Sequence, residues 1–211
     1  MRRRLITLTT IPPRFGGIAC VLEDLLAQGA DGVVLALPRA WRRFPGPHAL
    51  PDLPAGVTLL RCADLGPASK ILPARRAFPD ADLIACDDDC GYAPGWCAAL
   101  CAGPGVRAGS VFEVARLRRR GGVVAQGFAG LRVPPDMSLP PDVPEPVRWV
   151  DDLWLSAWIA ARGQAIERVD PARACVTPLS APAPLQAGDR AALNAAAAAY
   201  IHGALGIWPP M

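Results

Sequence analysis

Four short apolar runs, Leu5 to Thr9, Val33 to Leu37, Val57 to Leu60 and Leu83 to Cys86, alternate with segments of helical spacing, and this alternation restricts the chain to few folds. The runs read as buried strands. Between the first two, Ile18, Val21, Leu22, Leu25 and Leu26 recur on one helical face. Before the fourth, Pro67 to Phe78 predicts a helix broken or kinked near Pro73. Strand and helix in regular succession specify an α/β fold with a mostly parallel sheet flanked by helices. Further on, the pattern predicts a helix around Trp96 to Cys101 and strands over Ser110 to Ala115 and Val123 to Phe128, with the basic Arg116 to Gly122 turn between them. A helix over Asp151 to Arg162 carries Leu153, Trp154, Ala157 and Trp158 on its apolar face, and the alanine-rich Arg190 to Leu205 forms a terminal helix. Ala40 to Pro54 reads as a long surface loop, and Pro134 to Pro146, with six prolines, as a loop or lid. No internal repeat or dividing linker is evident, so residues 1–211 are expected to form a single domain.

Composition removes several function classes. A net charge of +3 does not fit a nucleic-acid polymer as partner. No run of 18 or more apolar residues predicts a transmembrane segment. The opening Met1-Arg2-Arg3-Arg4 before an apolar run is superficially like a secretion signal, but Thr7, Thr9, Thr10 and Pro12-Pro13 interrupt it and no small-residue cleavage site follows. The basic runs Arg2 to Arg4 and Arg116 to Arg120 suit solvent, and are also suited to peripheral contact with an anionic membrane. Seven cysteines, four of them within sixteen residues, lack the paired two-residue spacing of a zinc knuckle. Reduced thiols and a cytoplasmic protein are the expectation.

Asp87-Asp88-Asp89 follows the fourth run directly, so the acids emerge at the carboxyl end of a strand, where open α/β sheets bind ligands. Three adjacent carboxylates repel one another, and a hard divalent cation such as Mg²⁺ or Mn²⁺ would neutralise them. In an extended segment Asp87 and Asp89 share a side, which makes them the natural metal pair and leaves Asp88 facing away. The same triplet also fits a solvated turn with an Asx hydrogen bond. Lys70 is the one lysine beside 21 arginines, and behind Gly66-Pro67 it reads either as a point charge for phosphate or as a surface residue. Asp64, at a strand end, suits a base or ribose contact or a plain turn. Gly127 and Gly130 flank Phe128 and allow close backbone approach to a ligand, or simply a turn. Asp151 and Asp152 open the late helix: one acid suffices to cap it, and the other is free to act as a general base. Trp149 is a candidate wall for a sugar.

Five segments occur in a telling order: Ile6 to Arg14, Asp64 to Lys70, Asp87 to Asp89 with Tyr92, Gly127-Phe128-Ala129-Gly130, and Trp149-Val150-Asp151-Asp152. Together they resemble small bacterial glycosyltransferases of the GT-A fold, the Asp-x-Asp type. The resemblance implies a UDP- or GDP-linked sugar donor, a glycan or lipid-linked acceptor, and Mn²⁺ or Mg²⁺ held through Asp87 and Asp89. It implies that Thr9, Thr10 and Arg14 border the nucleotide, with Asp64, Lys70 and Asp88 also on the donor. It implies a loop of Gly127, Phe128 and Gly130 with Trp149 near the acceptor, and Asp152, with Asp151 beside it, next to the reacting carbon. A late histidine often completes the metal site in such enzymes, which here would be His202. The other readings of the acid cluster are a Mg²⁺-dependent phosphohydrolase and a non-catalytic nucleotide-sugar-binding module.

Overall fold

The first strand, β1 (Arg4–Leu8), alternates its side chains between the two faces of a sheet. Leu5 packs with Val34, Leu72 and Leu83 on one side, and Ile6 and Leu8 with Leu22, Leu35 and Ile84 on the other. Two separate apolar cores result. A strand covered on both faces needs no polar alternation, which is why these runs are continuously apolar. The computed structural model describes residues 2–185 and 189–211. After β1 come a 3₁₀ turn (Pro12–Gly17), α1 (Ile18–Leu26), β2 (Gly32–Pro38), β3 (Val57–Cys62), α2 (Leu72–Ala77) and β4 (Asp82–Ala85). The chain continues through β5 (Cys90–Tyr92), α3 (Trp96–Cys101), β6 (Val106–Ala108), β7 (Val111–Glu113), β8 (Val123–Ala125) and β9 (Leu131–Val133). It closes with α4 (Asp151–Ala160), β10 (Ile166–Arg168), α5 (Asp170–Ala174), β11 (Val176–Pro178) and α6 (Arg190–Leu205).

The main sheet has seven strands in the order β10-β6-β9-β4-β1-β2-β3. Only β9 runs against the others. This is an α/β fold with a mostly parallel sheet flanked by helices. The chain moves outward from β1 to β2 and β3, then returns to place β4 on the other side of β1. Helices crossing in opposite directions leave a crevice above the carboxyl ends of β1 and β4, the place where such sheets bind ligands. Thr9 and Thr10 follow β1, and Asp87 to Asp89 follow β4.

Pro67 to Phe78 is broken near Pro73, as the sequence predicts: a 3₁₀ turn (Ala68–Lys70) ends at Ile71, whose φ of −128° and ψ of −42° break the helix. Pro73 then falls in the first turn of α2, where its missing N–H costs nothing. The strands predicted over Ser110 to Ala115 and Val123 to Phe128 contract to β7 and β8, with Val114–Leu117 and Gly127–Ala129 wound as 3₁₀ turns. Pro134 to Pro146 is largely irregular and contributes nothing to the lining of the cavity between β1 and β4; its carbonyls at Ser138 and Asp142 accept from the indoles of Trp158 and Trp154, so it braces α4. Strands β5, β6, β9, β10 and β11 were not anticipated, because three residues are too few for a period to register. Among the described residues no helix is long and apolar enough to cross a membrane.

Candidate active site

At the crevice between β1 and β4 lies a cavity of about 630 Å³. The chain does not extend through the triplet as expected: residues 88 and 89 form a turn, so Asp88 and Asp89 converge on one cation while Asp87 points away from them. Asp88 is nearly closed off, accepting from Thr10 Oγ1 at 2.5 Å and from Arg14 Nη1 at 2.5 Å. Asp89 shares the Arg14 guanidinium at 3.1 Å. Asp87 turns the other way, to Lys70 Nζ at 2.7 Å. Desolvation, and after it the charge of nearby Asp87, raises the pKa of Asp89. The Asp87 and Asp89 side chains are 32% and 33% exposed against 8% for Asp88, and all three line the cavity.

Lys70 is the centre of the second cluster. Its side chain is only 4% exposed, and Nζ lies 3.0 Å from Asp151 Oδ2 and 3.9 Å from Asp152 Oδ1. Burial alone would lower its pKa, but Asp151, Asp87 and Asp152 together hold it well above the usual lysine value. It is therefore neither a surface lysine nor a free phosphate ligand; it binds three carboxylates from two distant segments. The helix-cap reading of Asp151 and Asp152 is likewise corrected. Val150 occupies the cap position of α4 and no side chain caps the helix. Both acids instead turn inward, Asp152 Oδ1 accepting from the Gly127 N–H at 3.1 Å. Desolvation, with repulsion from Asp151 and Asp87, pushes Asp152 up to about 7 against the pull of Lys70.

Gly127 is required by this contact. A Cβ there would collide with Lys70 Nζ and lie 2.9 Å from Asp152 Oδ1. Gly130 does a different job: at φ +94° it lets the chain pass the Trp96 ring, whose indole N–H donates to the Ala129 carbonyl at 2.9 Å. Tyr92 links the triplet to this loop, accepting from the Asp87 N–H and donating toward the carbonyls of Asp87 and Phe128.

Thr9, Thr10, Arg14, Phe128 and Trp149 line the cavity, as do Lys70 and the acids. Asp64 lines it too, though its oxygens already accept from the backbone N–H groups of Arg42 and Gly66, fastening the long loop after β2. His202 is not brought to the site: it sits in the last turn of α6, Nδ1 is 2.8 Å from the Ile207 carbonyl, and it lines no part of the cavity. Its helix-end contact accounts for it. Among the described residues no three His, Cys, Asp or Glu side chains are arranged to hold a metal ion together. Sequence reasoning missed Trp41 and Phe44, in the loop read as plain surface, and Arg173 and Arg190. A Trp-Arg-Arg-Phe run inside a Pro-rich loop was the available signal.

No family model matches the chain, and no curated protein matches it. Among solved structures it is similar to a UDP-glucose pyrophosphorylase from Acinetobacter baumannii, at 9% identity and a TM-score of 0.45, over 80% of this chain and 86% of that one. A UTP-bound UGPase from the same organism is similar at 10% identity and a TM-score of 0.45, over 80% and 86% of the two chains. A likeness this distant carries no argument about activity.

Proposed function

We propose that residues 1–211 act as one metal-dependent glycosyltransferase domain of the GT-A type, working in the cytoplasm and moving a sugar from a UDP- or GDP-linked donor to a hydroxyl acceptor. The observation that carries this reading is the meeting of Asp87, Asp89 and Asp152 around one cavity at the switch point of the sheet. Five carboxylates there share Lys70 and Arg14 as ion-pair partners among the described residues, which leaves repulsion between neighbouring acids in a half-buried place. A divalent cation relieves it. Mg²⁺ and Mn²⁺ bind through one or two carboxylates plus substrate phosphates, and Asp87 and Asp89 would be those carboxylates. Bound there, the ion would neutralise charge developing on the nucleoside diphosphate leaving group.

The chain's own groups supply the rest. Trp41 and Phe44 give apolar faces for a base beside Thr10. Lys70 fixes Asp87 and Asp151, so the open oxygens of the acid cluster are held in place before substrate arrives. Asp152, anchored at one oxygen by the Gly127 N–H and with a pKa pushed up to about 7, is poised to take the proton of an acceptor hydroxyl. The test is a titration of UDP, GDP and their sugars with and without Mn²⁺, followed by product analysis. Metal-dependent donor binding and release of nucleoside diphosphate with glycosyl transfer are expected. Binding without any turnover would indicate a non-catalytic module, and hydrolysis of simple phosphate esters a phosphohydrolase.

A further inference from the structure

Among the described residues five basic side chains line the cavity, and its acids engage only two of them, Lys70 and Arg14. Arg43 is exposed on the loop after β2. Arg173, from α5, and Arg190, from the first turn of α6, are partly buried and pair with no carboxylate among the described residues. Each is nevertheless fixed through one nitrogen: Arg173 Nη1 donates to the Val176 carbonyl at 3.0 Å, and Arg190 Nη1 to the Trp149 carbonyl at 2.9 Å. The Nε–Nη2 edge of each guanidinium has no protein partner among the described residues. A side chain held before its ligand arrives loses less entropy on binding, so both edges are preorganised for an acceptor that the chain itself does not supply.

Both arginines are built onto the segments that carry the second acid cluster. The Arg173 guanidinium carbon lies 5.2 Å from the centre of the Phe128 ring, and Phe128 follows Gly127, whose N–H binds Asp152. Trp149, which holds Arg190, stands two residues ahead of Asp151. The apolar faces suited to a base, Trp41 and Phe44, come instead from the loop after β2. The two guanidiniums therefore meet a sugar rather than the base. A neutral sugar offers only hydroxyl groups, whereas a carboxylate offers two coplanar oxygens and a full charge, which a guanidinium edge binds through two parallel N–H bonds. A partly buried cation gains more from such a charge than a solvated one does.

We propose that the sugar bound beside Asp152 carries a carboxylate, as a uronic acid does, and that Arg173 and Arg190 hold it. The proposal rests on the glycosyltransferase reading of the cavity. The carboxylate belongs either to the transferred sugar or to the acceptor sugar, and calorimetric titration of the whole protein has an arm for each. UDP and GDP are first titrated with Mn²⁺, and the tighter of the two is used in both arms. One arm compares its glucuronate and galacturonate conjugates with the glucose and galactose conjugates. The other, with the nucleoside diphosphate and Mn²⁺ present, compares the methyl glycosides of the same acids and neutral sugars. In one arm the acid should bind about tenfold tighter than its neutral counterpart. Arg173→Gln combined with Arg190→Gln should bring the two within about twofold while nucleoside diphosphate affinity is kept, and Arg173→Lys should retain part of the preference, since its charge stays and its paired N–H geometry goes. Equal binding of acid and neutral forms in both arms overturns the proposal, as does an acid preference that survives the double change. A matching loss of nucleoside diphosphate affinity in that variant also overturns it, by assigning the arginines to the diphosphate. Failure of both nucleotides to bind removes the transferase reading itself, whereas nucleotide binding without acid preference removes only the uronic acid.

Discussion

At the residue scale, Lys70 decides most. Its ammonium is buried among Asp87, Asp151 and Asp152, so Lys70→Met leaves acids facing one another with no cation between them. A loss of about 3–5 kcal/mol is expected, as for breaking a buried ion pair from one side. Urea denaturation measures it; an unchanged midpoint would show the cluster is held by other means. Asp152 gives a pH signature. The folded chain keeps the Asp152 proton up to about 7, whereas the unfolded chain releases it near the ordinary carboxylate value of 3.8. Stability from this group is therefore present below that value and declines as pH rises through the window to about 7. Catalysis moves oppositely, because a base must be ionised: turnover should rise with pH to a plateau above about 7. Asp152→Asn should remove that rise and lower turnover by roughly 10²-fold with donor affinity kept. Full turnover in this variant would remove Asp152 as the base. Gly127→Ala drives a methyl into Lys70 and Asp152 and should cost about 1–3 kcal/mol. Gly16→Ala, with nothing within 4 Å, is the control.

At the element scale, β9 is the strand that departs from the parallel pattern, and one ion pair fastens it. Arg132 Nε and Nη2 reach Asp82 at 3.0 and 2.7 Å, both residues being buried, so the antiparallel strand is clamped to the amino end of β4. The acids of the site lie at the other end of β4. Arg132→Met should thus cost about 3–5 kcal/mol of stability through an orphaned Asp82, while nucleoside diphosphate affinity, read by calorimetry below the melting transition, stays within about twofold. A parallel loss of affinity would mean that β9 positions the site as well as the sheet. The antiparallel pair β5 and β11 works differently, joining Val176 to Tyr92 and Pro178 to Cys90 from distant parts of the chain, and so it brings Leu179, whose N–H donates to the Asp89 carbonyl, to the triplet.

At the scale of the whole molecule, two apolar layers enclose the sheet and leave one charged crevice at the reversal of strand order. Ligand and metal should act there together. With Mn²⁺ present, a nucleoside diphosphate at a hundred times its dissociation constant should stabilise the fold by about 2.7 kcal/mol, since only the folded state binds it. A chelator should remove the nucleotide effect, because phosphates alone meet the carboxylates of Asp87 and Asp89 unscreened. Thermal shift in the four combinations of nucleotide and Mn²⁺ measures this. Full nucleotide stabilisation in the presence of chelator would remove the metal from the reading.

The sequence by itself determined the parallel half of the sheet. Strands β1, β2 and β4 are buried on both faces, and a continuous apolar run is the local consequence of that burial. It also placed the acid triplet, because a strand end is a local event. Tertiary structure alone decided what the acids do. Lys70 meets Asp151 across 81 positions and Arg14 meets Asp88 across 74, and no local pattern encodes such pairings. The same holds for the cap that Asp151 and Asp152 do not form: α4 offers them a backbone cap, but a buried ammonium and the Gly127 N–H are stronger partners for a carboxylate. The place of Arg173 and Arg190 at the cavity has no local signal for a related reason. Arg173 lies in the five-residue α5 and Arg190 at the start of α6, and only the folded chain carries both to the cavity that the triplet lines.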